Sequence, residues 1–338
     1  MSTWLKRSVK GAVVAALVMG AGVNESFAVE PGDFTNYLRG ASQGLALGAL
    51  PPPGVYGGFA IDVTGLGPSP GKGNQATGFS SAPTPGFGQS LLFVPGWTFF
   101  GATYAAQLVQ GEYFGLGNTP VNPPFAASAI NGPELANTTF NPITLSWDLT
   151  HGWFTALGIN IIAPIGSQWH STLTDINLNP DYWTFAPAWA LSYIDASWFL
   201  SANFRYDINT ASRGVTMGAP VLPGSAANGF VSGNELFGDF TGLYRIGKWQ
   251  FGPVGYFEAQ TTADKPGGGV PCTPAICGYQ SQIALGALVG YDFGPVALQA
   301  WFDDTVECQN AVCGLDVWGR VTFKILGFEA PKPLVAKN

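Results

Sequence analysis

The chain has 338 residues and a formal net charge of −7, and only 10% of its residues are charged, against about 25% in soluble domains. Hydrophobic residues make up 46% and aromatic ones 14%, with 11 Trp. No Lys/Arg cluster is present to neutralise phosphates, which excludes nucleic acid as a partner, and so little charge does not suit a surface facing water on all sides.

Residues 1–28 have the pattern of a signal peptide. Lys6, Arg7 and Lys10 form a positive start, Gly11 to Val23 is apolar, and Ser26-Phe27-Ala28 places small residues where a signal peptidase reads. The apolar run is shorter than the ~20 residues of a spanning helix. No Cys follows it, so a lipoprotein is not indicated. Removing the segment takes away three positive charges and one negative one (Glu25), so the mature chain from Val29 carries −9. No later stretch reaches the ~18 apolar residues that a transmembrane helix needs. An exported chain this apolar is then expected to close into a β-barrel, the other structure that satisfies every backbone group in lipid.

Residues 29–53 read as a leader. Asp33 to Arg39 is weakly amphipathic and Gly40 to Pro53 is rich in Gly, Ala and Pro. The segment either plugs the barrel, entering it or lying beneath it, or is a disordered leader. Period-two alternation then divides 54–326 into about twelve strands: 54–65, 88–99, 102–114, 139–149, 152–164, 182–194, 197–209, 233–246, 249–261, 280–293, 296–306 and 314–326. The fold class expected is all-β, a transmembrane antiparallel barrel of about 12 strands. Fourteen is the alternative if Pro95-Gly96 forms a turn, since Pro cannot donate to a ladder. Along 198–209, Trp198, Leu200, Ala202, Phe204, Tyr206 and Ile208 share one face, opposed by Phe199, Ser201, Asn203, Arg205, Asp207 and Asn209.

Connections alternate between tight and long. Phe100-Gly101, Thr150-His151, Asp195-Ala196, Gly247-Lys248 and Gly294-Pro295 are tight, whereas 66–87, 115–138, 165–181, 210–232 and 262–279 are long and rich in Gly, Pro, Asn and Ser. Outer-membrane barrels show this asymmetry, with short periplasmic turns and long outer loops. Trp147, Trp153, Tyr193, Trp198, Tyr244, Trp249, Tyr291 and Phe293 flank the short turns in one phase and read as an interfacial aromatic girdle. Residues 327–338 are expected to be a periplasmic tail.

Ala49-Leu50-Pro51-Pro52-Pro53-Gly54-Val55-Tyr56, and Asp175-Ile176-Asn177-Leu178-Asn179-Pro180 before an aromatic strand, resemble segments of the outer-membrane proteins linked to the meta pathway of phenol degradation. The resemblance covers roughly residues 30–326. It implies a barrel distantly similar to the long-chain fatty-acid transporters, with uptake of hydrophobic or aromatic compounds. The chain departs from the pattern at its end, where Glu329–Asn338 follows the last strand, and no ligand-binding residue is carried over.

Alternation turns Tyr56, Asp62, Asp148, Arg205, Asp207, Glu235, Asp239, Arg245, Tyr256, Glu258, Asp292, Trp301, Asp303, Asp316, Trp318, Arg320 and Lys324 inward, as candidates to line a solute path. Lipid would exclude the charged ones whatever the function, so they equally suit a lumen merely filled with paired charges. Cys272, Cys277, Cys308 and Cys313 lie at two neighbouring outer connections and are expected to form disulfides, either local (Cys272–Cys277, Cys308–Cys313) or crossed. A metal site is not expected, because the spacings are loose for zinc and no His is near.

The two histidines, His151 on a turn and His170 in a loop, do not complete a nucleophile–base–orienter arrangement. The reading is therefore of a non-enzymatic channel, without cofactor, for passive uptake of small hydrophobic or aromatic compounds. It is delivered by the barrel-assembly machinery to the Gram-negative outer membrane and contacts its lipid. A non-conducting structural or adhesive barrel is the alternative, and a lipid-modifying barrel enzyme the remoter one. Oligomeric state and connectivity stay open.

Overall fold

A computed structural model describes residues 36–66, 84–119, 128–166, 180–212, 231–265, 279–309, 311 and 313–328. Among these there is no helix. The strands are β1 (Gly54–Leu66), β2 (Thr84–Val94), β3 (Thr98–Phe99), β4 (Ala102–Thr119), β5 (Ser128–Leu135), β6 (Thr138–Asp148), β7 (Trp153–Ala163), β8 (Thr184–Ile194), β9 (Trp198–Asn209), β10 (Glu235–Ile246), β11 (Trp249–Gln260), β12 (Ser281–Asp292), β13 (Val296–Gln309) and β14 (Leu315–Gly327). Each barrel strand pairs antiparallel with its neighbours, and β1 pairs with both β2 and β14, so the sheet closes without an edge. The ring holds twelve strands, because β3 and β5 add none. Closure pairs the backbone groups that lipid could not satisfy.

The two supernumerary pieces both pair with β4. Pro95-Gly96 interrupts a strand without turning it. Gly96 sits at φ 83°, Tyr104 N donates to Trp97 O at 3.0 Å, and β3 resumes pairing with the same partner, β4. Twelve, not fourteen, follows. Likewise β5 and β6 are successive pieces of one return strand, both paired with β4. The expected loop 115–138 is therefore corrected. β4 runs on to Thr119, and β5 pairs back along it as a hairpin extending past the ring. Gly, Pro and Asn in that stretch read as loop residues, but a ladder with a single partner tolerates Pro133, whose missing N–H removes a bond needed only on a doubly paired strand.

Exposure alternates as the sequence pattern requires. On β12, Ile283, Leu285, Ala287 and Val289 are exposed while Gln282, Ala284 and Leu288 are buried. On β9, Trp198, Leu200 and Ile208 face out while Phe199, Ser201, Arg205 and Asp207 are buried. A soluble chain would not leave so many large apolar side chains exposed in one band. The band fits acyl chains.

Short turns carry the strain of reversal. Phe100 and Gly101 both take positive φ (52° and 76°), the conformation of a twist-matched two-residue hairpin. Thr150, His151 and Gly152 all take positive φ as well (70°, 53°, 82°).

Candidate functional site in the lumen

Residues 36–50 descend inside the ring, from the rim bearing the long loops to the rim bearing the short turns. Near the short-turn rim, Gly48 N donates to Ser192 Oγ (3.0 Å) and Ser146 Oγ donates to Gly48 O (2.7 Å). Near the other rim, Asn36 Nδ2 donates to Thr184 Oγ1 (2.8 Å) and Asn137 Nδ2 to Asn36 Oδ1 (2.9 Å). Between these points the chain makes tight turns, with Ala41 N bonded to Leu38 O, Gln43 N to Gly40 O, Leu45 N to Ser42 O and Ala49 N to Ala46 O. Gly44 is at φ 73°, and a Cβ there would lie 2.7 Å from Leu288 Cδ1. At Gly48 a Cβ would lie 2.7 Å from Ser192 N and 2.8 Å from Phe154 O. Only a residue without a side chain lets the leader approach the wall so closely.

Asp239 on β10 is the principal anchor. Its carboxylate accepts from Tyr37 Oη (2.7 Å), Gly40 N (3.1 Å), Ser42 N (3.1 Å) and Ser42 Oγ (2.5 Å). Arg39 forms an ion pair with Glu258 (3.2 Å) and donates to Tyr256 Oη (3.3 Å). Burial works against the charge of Arg39, but Glu258, Tyr256 and Asp316 around it together outweigh burial and hold the guanidinium above its ordinary range. Gln43 donates to Asp303 (3.0 Å), and Arg320 donates to Ala41 O (3.0 Å) and to Gln43 O. Beneath the polar contacts, Leu38, Ala41 and Ala46 pack on Phe199, Leu243, Val254, Leu288, Trp301 and Trp318. Trp301 and Trp318 stack at 5.2 Å with planes 6° apart, and the Arg320 guanidinium lies 4.7 Å from the Trp301 ring centre.

Asp62, Arg205, Asp207, Glu235, Asp239, Tyr256, Glu258, Trp301, Asp303, Asp316, Trp318 and Arg320 are all buried. Arg205 is paired with Asp207 (2.5 and 2.9 Å), and Tyr256 Oη donates to Asp316 (3.1 Å). The remaining inward candidates sit at the short-turn rim. Asp148 and Asp292 are exposed there, and each accepts from the backbone N–H two residues on, of Thr150 (2.7 Å) and Gly294 (2.7 Å). Alternation gives the face of a residue but not its depth. Through these bonds the two side chains brace turns. Arg245 lies 5.2 Å from the Phe199 ring centre, and Lys324 5.9 Å from that of Tyr56.

A third rim carboxylate, Asp195, was not among the candidates although it does the same work as Asp148 and Asp292. It accepts from Tyr193 Oη, Ser197 N and Trp198 N (2.7, 2.7 and 2.6 Å), bonds that hold it below the usual carboxylate range. Aromatic side chains near this rim pair across neighbouring hairpins: Trp153 with Tyr193 at 5.0 Å, Trp198 with Tyr244 at 5.0 Å and Trp249 with Tyr291 at 4.8 Å. Tyr291 also meets Phe293 at 4.6 Å, and Trp147 Nε1 donates to Phe100 O at 3.0 Å. Trp97 and Tyr104, stacked at 5.8 Å, extend the series and were missed because Pro95-Gly96 blurred the strand around them.

Cys308 and Cys313 form a disulfide at the β13–β14 connection, so the local pairing holds there. Cys272, Cys277, His170, Asp175–Asn179, most of each long loop, residues 1–35 and the tail 329–338 lie outside the described residues. His151 is exposed on its turn with Nδ1 2.9 Å from Thr150 Oγ1. Among the described residues no cluster of His, Cys, Asp and Glu could hold a metal ion.

A family model described as "Putative MetA-pathway of phenol degradation" matches residues 72–321, and the chain belongs to that family. The crystal structure of an outer membrane channel from Pseudomonas putida F1 is similar in fold, with TM-score 0.60 and 12% identity over 81% of this chain and 96% of that one. The toluene transporter of Pseudomonas putida is more remote, with TM-score 0.42 and 8% identity over 83% of this chain and 91% of that one. No curated protein sequence matches.

Proposed function

We propose that this member of the phenol-degradation family is an outer-membrane channel for passive uptake of small hydrophobic or aromatic compounds, narrowed by its own leader. The observation that supports it most is the lumen. The ring has twelve strands, more than the roughly eight whose inward side chains alone fill a barrel, and a turn-rich segment fixed by specific polar contacts lies inside it. A barrel meant only as a wall has no need of a segment so closely fitted. The family's tie to phenol degradation directs the substrate reading to aromatic compounds. The short-turn rim, with its aromatic pairs, is the periplasmic side on this reading.

Purified protein in planar bilayers is expected to give small, discrete conductance steps. Gly48→Val, which forces the leader off β7 and β8 at a site remote from the lipid face, is expected to raise the step size severalfold while the barrel stays folded. Silent bilayers for both proteins would favour the non-conducting structural reading.

A further inference from the structure

Charge is distributed unevenly around the inward face. Among the described strand residues, β9 to β14 contribute buried Arg205, Glu235, Asp239, Glu258, Asp303 and Arg320, among others, whereas Asp62 is the buried charge of β1 to β8. The middle of the leader lies against the charged half, while Asn36 and Gly48 reach β6 and β8. Residues 40–44 are hydrogen-bonded to Asn203 on β9, Asp239 and Thr241 on β10, Gln299 and Asp303 on β13 and Arg320 on β14.

Beyond Asp62, the opposite wall is uncharged and carries small residues. Ala60, Gly88 and Gly111 stand side by side across β1, β2 and β4. Gly88 is not required by its backbone or by packing: it has no positive φ, and a Cβ there would meet only Ala60 Cβ, at 4.0 Å. Its missing side chain leaves open space. Further round, β6 breaks register at Asn141-Pro142, and the groups turned inward there are uncharged. Thr144 Oγ1 donates to Asn141 Oδ1 (3.0 Å), and Asn141 Nδ2 donates to Asn160 Oδ1 (3.2 Å).

We infer that solutes pass between residues 36–50 and the wall of β1, β2 and β4, and that this path selects small uncharged molecules able to share hydrogen bonds with amides and hydroxyls. The inference rests on the channel reading above and names its substrate class. An anion on this path loses hydration and meets no cation on its wall, where Asp62 is the buried charge among the described residues, while the leader engages Asp239, Glu258 and Asp303 of the far wall. A neutral ring or polyol loses far less.

The test uses the full chain in liposomes, with swelling rates in xylitol and in gluconate as probes. Wild type is expected to admit xylitol roughly tenfold or more faster than gluconate, reflecting the penalty for an unpaired charge. Gly88→Cys is expected to swell like wild type until a benzyl methanethiosulfonate reagent is added after reconstitution, when its xylitol rate falls severalfold. Wild type treated with the same reagent keeps its rate. Labelling after assembly separates blockage from misfolding. Equal rates for the two solutes, or an undiminished rate after Gly88→Cys is labelled, would overturn the inference and leave the channel reading standing. Wild-type vesicles that swell in neither solute would remove both.

Discussion

Asp239 collects four hydrogen bonds from three leader residues, two of them from backbone N–H groups that would otherwise be stranded away from water. Bonds to a charged acceptor are worth about 1.5–3 kcal/mol each and are not additive. Asp239→Ala is therefore expected to weaken leader docking by about 2–3 kcal/mol. Amides of residues 40–44 would then exchange faster while those of the barrel strands stay protected. Equal protection in the two proteins would show that the apolar packing of Leu38 and Ala46 suffices.

Asp195 gives a pH dependence of known sign. Its carboxyl is held low, so its contribution is fully present above the unfolded carboxylate range near about 4 and fades as pH falls through its folded value. The urea midpoint of Asp195→Asn should lie below that of wild type at neutral pH and converge with it in acid. A gap that widens as pH falls would contradict the assignment.

At the level of elements, strand positions and faces were legible because one face of each barrel strand must satisfy lipid, which imposes period two with few exceptions. On β14 the expected alternation of Leu315, Val317 and Val321 against Asp316, Trp318 and Arg320 is the one observed. Depth along a strand was not legible. Asp148 shares a face with Ser146 yet stands at the rim, because periodicity is blind to where a strand ends. The leader was only half legible. Gly40, Gly44 and Gly48 recur every fourth residue, but nothing in the sequence alone says that a Cβ at these positions would meet Tyr256, Leu288 and Ser192. The surplus of inward carboxylates over arginines was the missed signal, since it called for donors from elsewhere in the chain. An element-scale prediction concerns Leu285, 59% exposed near the middle of β12. Leu285→Arg should destabilise the barrel in bilayers by about 2–4 kcal/mol, read as a shift in the refolding midpoint. No shift would mean that this face does not meet hydrocarbon.

Across the whole molecule, one ring performs two separations: lipid from interior, and a charged, leader-covered half of the interior from a neutral one. The second has no meaning without the first. A continuous set of spin labels along 281–292 tests the first most directly, by collision with oxygen dissolved in lipid and with a water-soluble nickel chelate. Labels at 283, 285, 287 and 289 should respond to oxygen, and those at 282, 284 and 288 should be shielded from it. Nickel collisions at the first set, or no alternation at all along the strand, would contradict a barrel whose apolar face touches acyl chains.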